Sequence, residues 1–231
     1  MVACSRPGVV TILPFTAEQF FAVFVDYNRA IWPAQIIAYF IGAAALAMAL
    51  RGWRRAGRLV AVTLTVMWIW TGVAYHLLHF AAISPAALLF GAAFILQGGI
   101  FAWMALIGPR LAFGPPRRNA RFAFGLFLAL YAAVLYPLPG WQAGHVWPAV
   151  PSFGVTPCPV AVSTFGLLLL AQGRVPFWVV VIPALWAVIG GQAAFLLNVP
   201  QDWILLVGGI AATTVLLRAA WFQRKVDARI T

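Results

Sequence analysis

Long apolar runs alternate along this chain with short basic or uncharged interruptions. Seven runs approach the roughly 20 residues that an α-helix needs to cross about 30 Å of hydrocarbon. They lie near 33–50, 59–80, 85–107, 121–137, 157–172, 175–197 and 202–221. The pattern predicts an all-α polytopic transmembrane bundle of seven spans, one domain over residues 1–231. The fifth run is the shortest, held between Pro157/Pro159 and Arg174, which predicts a tilted span, a locally thinned bilayer or a partly re-entrant segment. Ahead of the first span, TAEQFFAVFVDYNRAIW sets Phe20, Phe24, Tyr27 and Ile31 on one helical face and Glu18, Asp26 and Arg29 on another. Thr16 with Gln19 fits a capping box at its start. The pattern predicts an amphipathic helix over 16–32 on the outer membrane surface, turned into the first span at Trp32-Pro33.

Composition places the chain outside the soluble globular range: 64% of residues are hydrophobic and 8% charged, with a mean hydropathy of +0.96. A net charge of +11 would suggest nucleic acid in a soluble protein. Here the basic residues fall between apolar runs, where they set orientation, so the expected partner is the lipid bilayer and no nucleic acid. Arg51, Arg54, Arg55 and Arg58 follow the first span; Arg110, Arg117, Arg118 and Arg121 follow the third; Arg174 follows the fifth; Arg224, Lys225 and Arg229 lie beyond the seventh. The loops after the second and fourth spans carry no charge. An outside N-terminus and a cytoplasmic C-terminus follow, as an odd number of spans requires. Met1–Pro14 lacks the charged start, apolar centre and small-residue site of a removable signal peptide.

Candidate chemistry gathers on the outer side. GHVWPAVPSFGVTPCP (144–159) contains no charge but four of the sixteen prolines, His145 and Cys158. His76 and His79 stand three residues apart near the end of the second span, a spacing that puts both on one face of an α-helix. The uncharged loop 138–156, stiffened by proline, is expected to fold down as a lid over the second and fifth spans, joining His76, His79, His145 and Cys158 in one metal site. Imidazole nitrogens with a thiolate suit Zn²⁺ or copper. The alternative reading makes Tyr75, His76 and His79 an interfacial belt, His145 a loop cap, and Cys158 a disulfide partner of Cys4.

Gln97-Gly98-Gly99 and Gly190-Gly191-Gln192 read either as close helix contacts with amides bonded across them, or as a polar pocket of Gln97, Gln192 and Tyr75. Glu18, Asp26, Asp202 and Asp227 fall at interfaces or outside the spans, so no acidic relay crosses the membrane. One internal echo relates PAALLFGAAFILQG (85–98) to PVAVSTFGLLLLAQG (159–173), which suggests a duplicated hairpin. The only lysine, Lys225, lies in the basic tail, so retinal is excluded. A bis-histidine transmembrane haem is excluded because the histidine pair shares one helix.

LPFTAEQFFAVF, YNRAIWPAQ and GHVWPAVPSFGVTPCP followed by STFGLLLL resemble a family of bacterial integral membrane proteins catalogued as a domain of unknown function. The resemblance implies a multi-pass bacterial inner-membrane protein and brings no activity with it. It also implies a start near the LPFT segment, with residues 1–12 either an extension or a misplaced start and Cys4 an undependable partner for Cys158. Three functions remain open: binding or transport of a metal ion or small solute from the periplasmic side; a non-catalytic accessory or scaffold subunit, with a homo-oligomer or membrane-protein partner; and a membrane-embedded metal-dependent hydrolase.

Overall fold

Thr16 and Gln19 exchange both bonds of a capping box: the Thr16 amide donates to Gln19 Oε1 at 2.8 Å and the Gln19 amide to Thr16 Oγ1 at 3.3 Å. Helix α1 (Ala17–Ala30) starts there. Hydrogen bonds from the backbone and the Thr16 hydroxyl hold the Glu18 carboxyl below its ordinary range. The computed structural model describes residues 13–116 and 119–230, with side chains excepted at 223, 224 and 226–230. Residues 1–12 with Cys4, and Arg117 and Arg118, lie outside the described residues, as do the side chains of Arg224, Asp227 and Arg229.

Five helices are long and apolar enough to cross a membrane: α2 (Ala34–Arg51), α3 (Ala56–Ala82), α4 (Ala86–Leu106), α8 (Trp178–Leu196) and α9 (Pro200–Phe222). Two apolar helices are shorter, α5 (Ala120–Leu135) and α7 (Pro157–Leu170). The short α6 (Pro137–Gln142) opens the connection from α5 to α7. Among the described residues the β pairing is a single bridge, Ala112 to Gln172.

Helix α7 packs against α2, α3, α5, α8 and α9, and all 14 of its residues are buried. That explains how a run too short for a comfortable span can be so apolar: a helix sheathed in protein need not match the bilayer thickness. Trp68 of α3 donates its indole N–H to Thr164 Oγ1 at 2.9 Å. The backbones of α5 and α7 meet at a glycine pair, where a Cβ on Gly166 would lie 2.6 Å from the Ala129 nitrogen and one on Gly125 3.0 Å from the Gly166 oxygen. Arg121 closes the far end of α7: Nε donates to the Leu169 carbonyl at 3.0 Å and Nη2 to the Ala171 carbonyl at 2.8 Å. Those carbonyls belong to the helix terminus, which has no intrahelical donors left for them.

Helix α1 does not present a free apolar face. Phe20, Val23, Phe24, Tyr27 and Asn28 are buried, and protein covers them. Tyr27 donates to the Val155 carbonyl at 2.5 Å and accepts from Trp70 Nε1 at 3.0 Å. Asn28 Nδ2 donates to the carbonyls of Pro148 and Val150 at 2.7 and 2.8 Å, and Ser152 Oγ donates to Asn28 Oδ1 at 2.9 Å. An isolated turn of loop backbone at this depth would leave its carbonyls unpaired; α1 supplies the donors. Phe153 is 6% exposed and fills the space left by Gly42, where a Cβ would come within 2.5 Å of the Phe153 ring.

The echo between 85–98 and 159–173 is not a repeat of structure. Gln97 is buried midway along α4 and donates to the Val179 carbonyl at 3.1 Å. Gln172, its counterpart, lies beyond the end of α7 and donates to the Pro115 carbonyl at 2.8 Å.

Candidate functional site

One end of the helix bundle holds a cavity of about 470 Å³, within the size range of small-molecule sites. It lies where α1, the π turn of α3, the starts of α4, α7 and α9 and the end of α8 converge. Phe15, Phe20, Phe24, Phe80 and Phe90 form most of its wall, and no lysine or arginine lines it. Its polar lining consists of Tyr75, His76, Ser84, Cys158, Gln192 and Asp202, with the indole of Trp186.

His76 is delivered by a local departure from α-helical geometry. Thr71–Leu77 is a π turn, a wider ring closed by i→i+5 bonds that recurs at functional positions. The imidazole is 0% exposed and ringed by aromatics, with centroids at 4.8 Å to Phe94 and 5.2 Å to both Trp186 and Tyr75. Both its ring nitrogens lack a hydrogen-bond partner, and the Trp186 indole N–H has the Cys158 thiol beside it. A buried donor left unpaired costs about 1–3 kcal/mol. Both side chains, His76 and Trp186, line the cavity.

Asp202 is 1% exposed, in the turn Pro200–Asp202 that opens α9. Its Oδ1 accepts a hydrogen bond from the Tyr136 hydroxyl, and the Cys158 thiol lies beside it. Neighbouring Tyr131 donates to the Gln201 carbonyl at 3.3 Å. Asp202, expected at an interface or outside the spans, is buried in protein at the start of α9. A single acid in a turn free of basic residues, followed by an apolar run, is the sequence signal that marks it.

The residues expected to form one metal site are distributed as follows. His76 and Cys158 line the same cavity. His79 lines a separate recess with Gln19, Asp26 and Leu78, its Nδ1 paired with the Ala74 carbonyl at 2.7 Å and its ring 5.1 Å from that of Tyr27. The three-residue spacing brings two side chains to one face on a regular α-helix; the π turn and the break after it send these two into different spaces. His145 stacks on Phe21 of α1 at 3.7 Å. Among the described residues no three His, Cys, Asp or Glu side chains gather in a group able to hold a metal ion. Of the polar pocket, Tyr75 and Gln192 line the cavity, whereas Gln97 lies outside it, its Nε2 donating to the Val179 carbonyl of α8.

A family model described as a family of unknown function (DUF6064) matches residues 17–227. No curated protein and no solved structure matches the chain.

Proposed function

We propose that this chain, which belongs to the family of unknown function DUF6064, is a membrane protein that binds a small amphipathic molecule in the cavity. The hydrocarbon part of the molecule lies against the phenylalanine wall and its polar head meets His76, Trp186 and Asp202. The observation that carries this reading is the fully buried His76, with both nitrogens unpaired. Water is a poor alternative occupant, because an ordered molecule needs two to four polar partners and most of the wall offers none. A head group with both donor and acceptor character, such as an alcohol, amide or carbonyl, pairs a neutral imidazole and an indole N–H while its tail stays dry. A structural metal ion takes about four protein ligands, more than His76, Cys158 and Asp202 supply.

In this reading the chain crosses the bacterial inner membrane seven times, through the five long helices and through α5 and α7, with the cavity on the periplasmic side. The support for that orientation is charge. Arg51, Arg54, Arg55, Arg58, Arg110 and Arg174 lie at or beside helix ends away from the cavity, and cytoplasmic ends carry the basic excess.

Mass spectrometry of organic extracts from the detergent-purified protein tests the proposal. A single class of amphiphile, near-stoichiometric in the wild type and depleted in Trp186→Phe at unchanged folding, is the expected outcome. Extracts containing only detergent and bulk lipid in bilayer proportions would overturn it.

A further inference from the structure

A second cleft, at the opposite end of the bundle from the phenylalanine-walled cavity, has the reverse chemistry. Its volume is about 670 Å³, and Arg54, Arg55, Arg58 and Arg110 line it beside Trp53 and Leu59. No carboxylate lines it. The described carboxylates Glu18, Asp26 and Asp202 all belong to the other end, so four guanidinium groups converge without an internal counter-charge.

The convergence is built by packing. Gly57 lets the 109–112 segment settle onto the start of α3, since a Cβ there would lie 1.9 Å from the Leu111 carbonyl oxygen; this contact delivers Arg110 to the other three. Arg58 is pinned through Nε, which donates to the Ala105 carbonyl at the end of α4 at 3.0 Å. Its terminal nitrogens remain for the cleft. Helix α3 begins with no side-chain cap, and the positive end of its dipole faces three of these arginines, an arrangement that repels itself unless an anion intervenes.

From these contacts we infer that the cleft binds the phosphate of an anionic phospholipid. Guanidinium groups pair phosphate oxygens bidentately, and basic pockets between spanning helices hold such head groups. The rim decides between a lipid and a free anion. Trp53 is 62% exposed and Leu59 36%, which places an amphipathic ring and an apolar chain where the glycerol and first acyl carbons of a bound lipid would run. A soluble phosphate has no use for that rim.

The test reconstitutes the full chain into nanodiscs of phosphatidylcholine alone and of phosphatidylcholine with phosphatidylglycerol, and reads retained lipids by native mass spectrometry and melting temperature. Wild type should retain phosphatidylglycerol several-fold above its bulk ratio and melt higher in its presence, with inorganic phosphate giving no comparable shift. The triple variant Arg54→Gln/Arg55→Gln/Arg110→Gln should lose the enrichment while melting like wild type in phosphatidylcholine. Arg58 is left in place because it also caps α4. Arg51→Gln/Arg174→Gln removes charge from the same end outside the cleft and should keep the enrichment. Retention of the preference by the triple variant, equal loss in the control variant, or equal protection by inorganic phosphate would each overturn the inference.

Discussion

Tyr27 of α1 donates its hydroxyl to the carbonyl of Val155 across 128 residues of sequence, and that bond ties the first described helix to the loop leading into the central one. The same hydroxyl accepts from Trp70, so three elements meet on one oxygen. The phenylalanine-walled cavity depends on this junction, because Phe20 and Phe24 of the same helix form part of its wall.

Tyr27→Phe should therefore cost more than a surface hydroxyl would. It leaves the Val155 carbonyl and the Trp70 indole N–H without partners, at about 1–3 kcal/mol for the buried groups together. The expected readouts are a lower melting temperature and faster hydrogen exchange in 144–156, with exchange in α7 unchanged.

The same junction predicts a dependence on alkaline pH. Burial pushes the Tyr27 hydroxyl above the ordinary tyrosine range, only partly offset by the bond from Trp70. A group whose folded pKa is raised contributes stability that is complete below its unfolded pKa, about 10 for tyrosine, and is lost as pH rises beyond it. Melting temperature should fall above that pH in the wild type and fall less steeply in Tyr27→Phe.

Glycines divide sharply by what surrounds them. Gly166→Ala would drive a methyl to 2.6 Å from the Ala129 nitrogen, and backbone on both sides leaves little room to relax. Overpacking of this kind costs about 1–3 kcal/mol. A Cβ at Gly99 meets nothing within 4 Å, so Gly99→Ala should be neutral or stabilising by up to about 1 kcal/mol, as helix propensity favours alanine. Thermal melts of the two variants in the same detergent compare the two sites directly.

Arg121 should resist conservative replacement. Its planar fork reaches several terminal carbonyls of α7 at once, a geometry that the single ammonium of lysine does not reproduce. Arg121→Lys is expected to lower the melting temperature nearly as far as Arg121→Ala, whereas Arg174→Lys should not.

Much of the architecture is legible in hydropathy alone: the apolar runs mark the helices within a few residues, and the Thr16/Gln19 box marks the start of α1. What periodicity conceals is which apolar residues face protein and which face lipid, because both environments select the same side chains. The burial of all of α7, and the covering of α1 by the loop, follow from long-range bonds such as Asn28 to Pro148. The candidate site was partly legible. His76, Cys158, Tyr75 and Gln192 stand out as polar residues in apolar surroundings and all line the cavity. Their expected companions His79, His145 and Gln97 go elsewhere, because a π turn changes angular position without leaving a mark in composition, and because the loop packs on α1. Asp202 was hidden by its place near the end of a run, where depth in the protein and depth in the sequence pattern differ.

The most direct measurement compares His76→Phe with wild type, both stripped of bound molecules, by melting temperature with and without decan-1-ol. Phenylalanine keeps the ring among Phe94, Tyr75 and Trp186 and removes two unpaired nitrogens, so the variant should melt higher than wild type when empty, by an amount corresponding to about 1–3 kcal/mol. Decan-1-ol should then stabilise wild type and leave the variant nearly unmoved. A variant that melts lower than wild type and gains as much from the alcohol would contradict a site in which His76 receives the head of an amphipathic ligand.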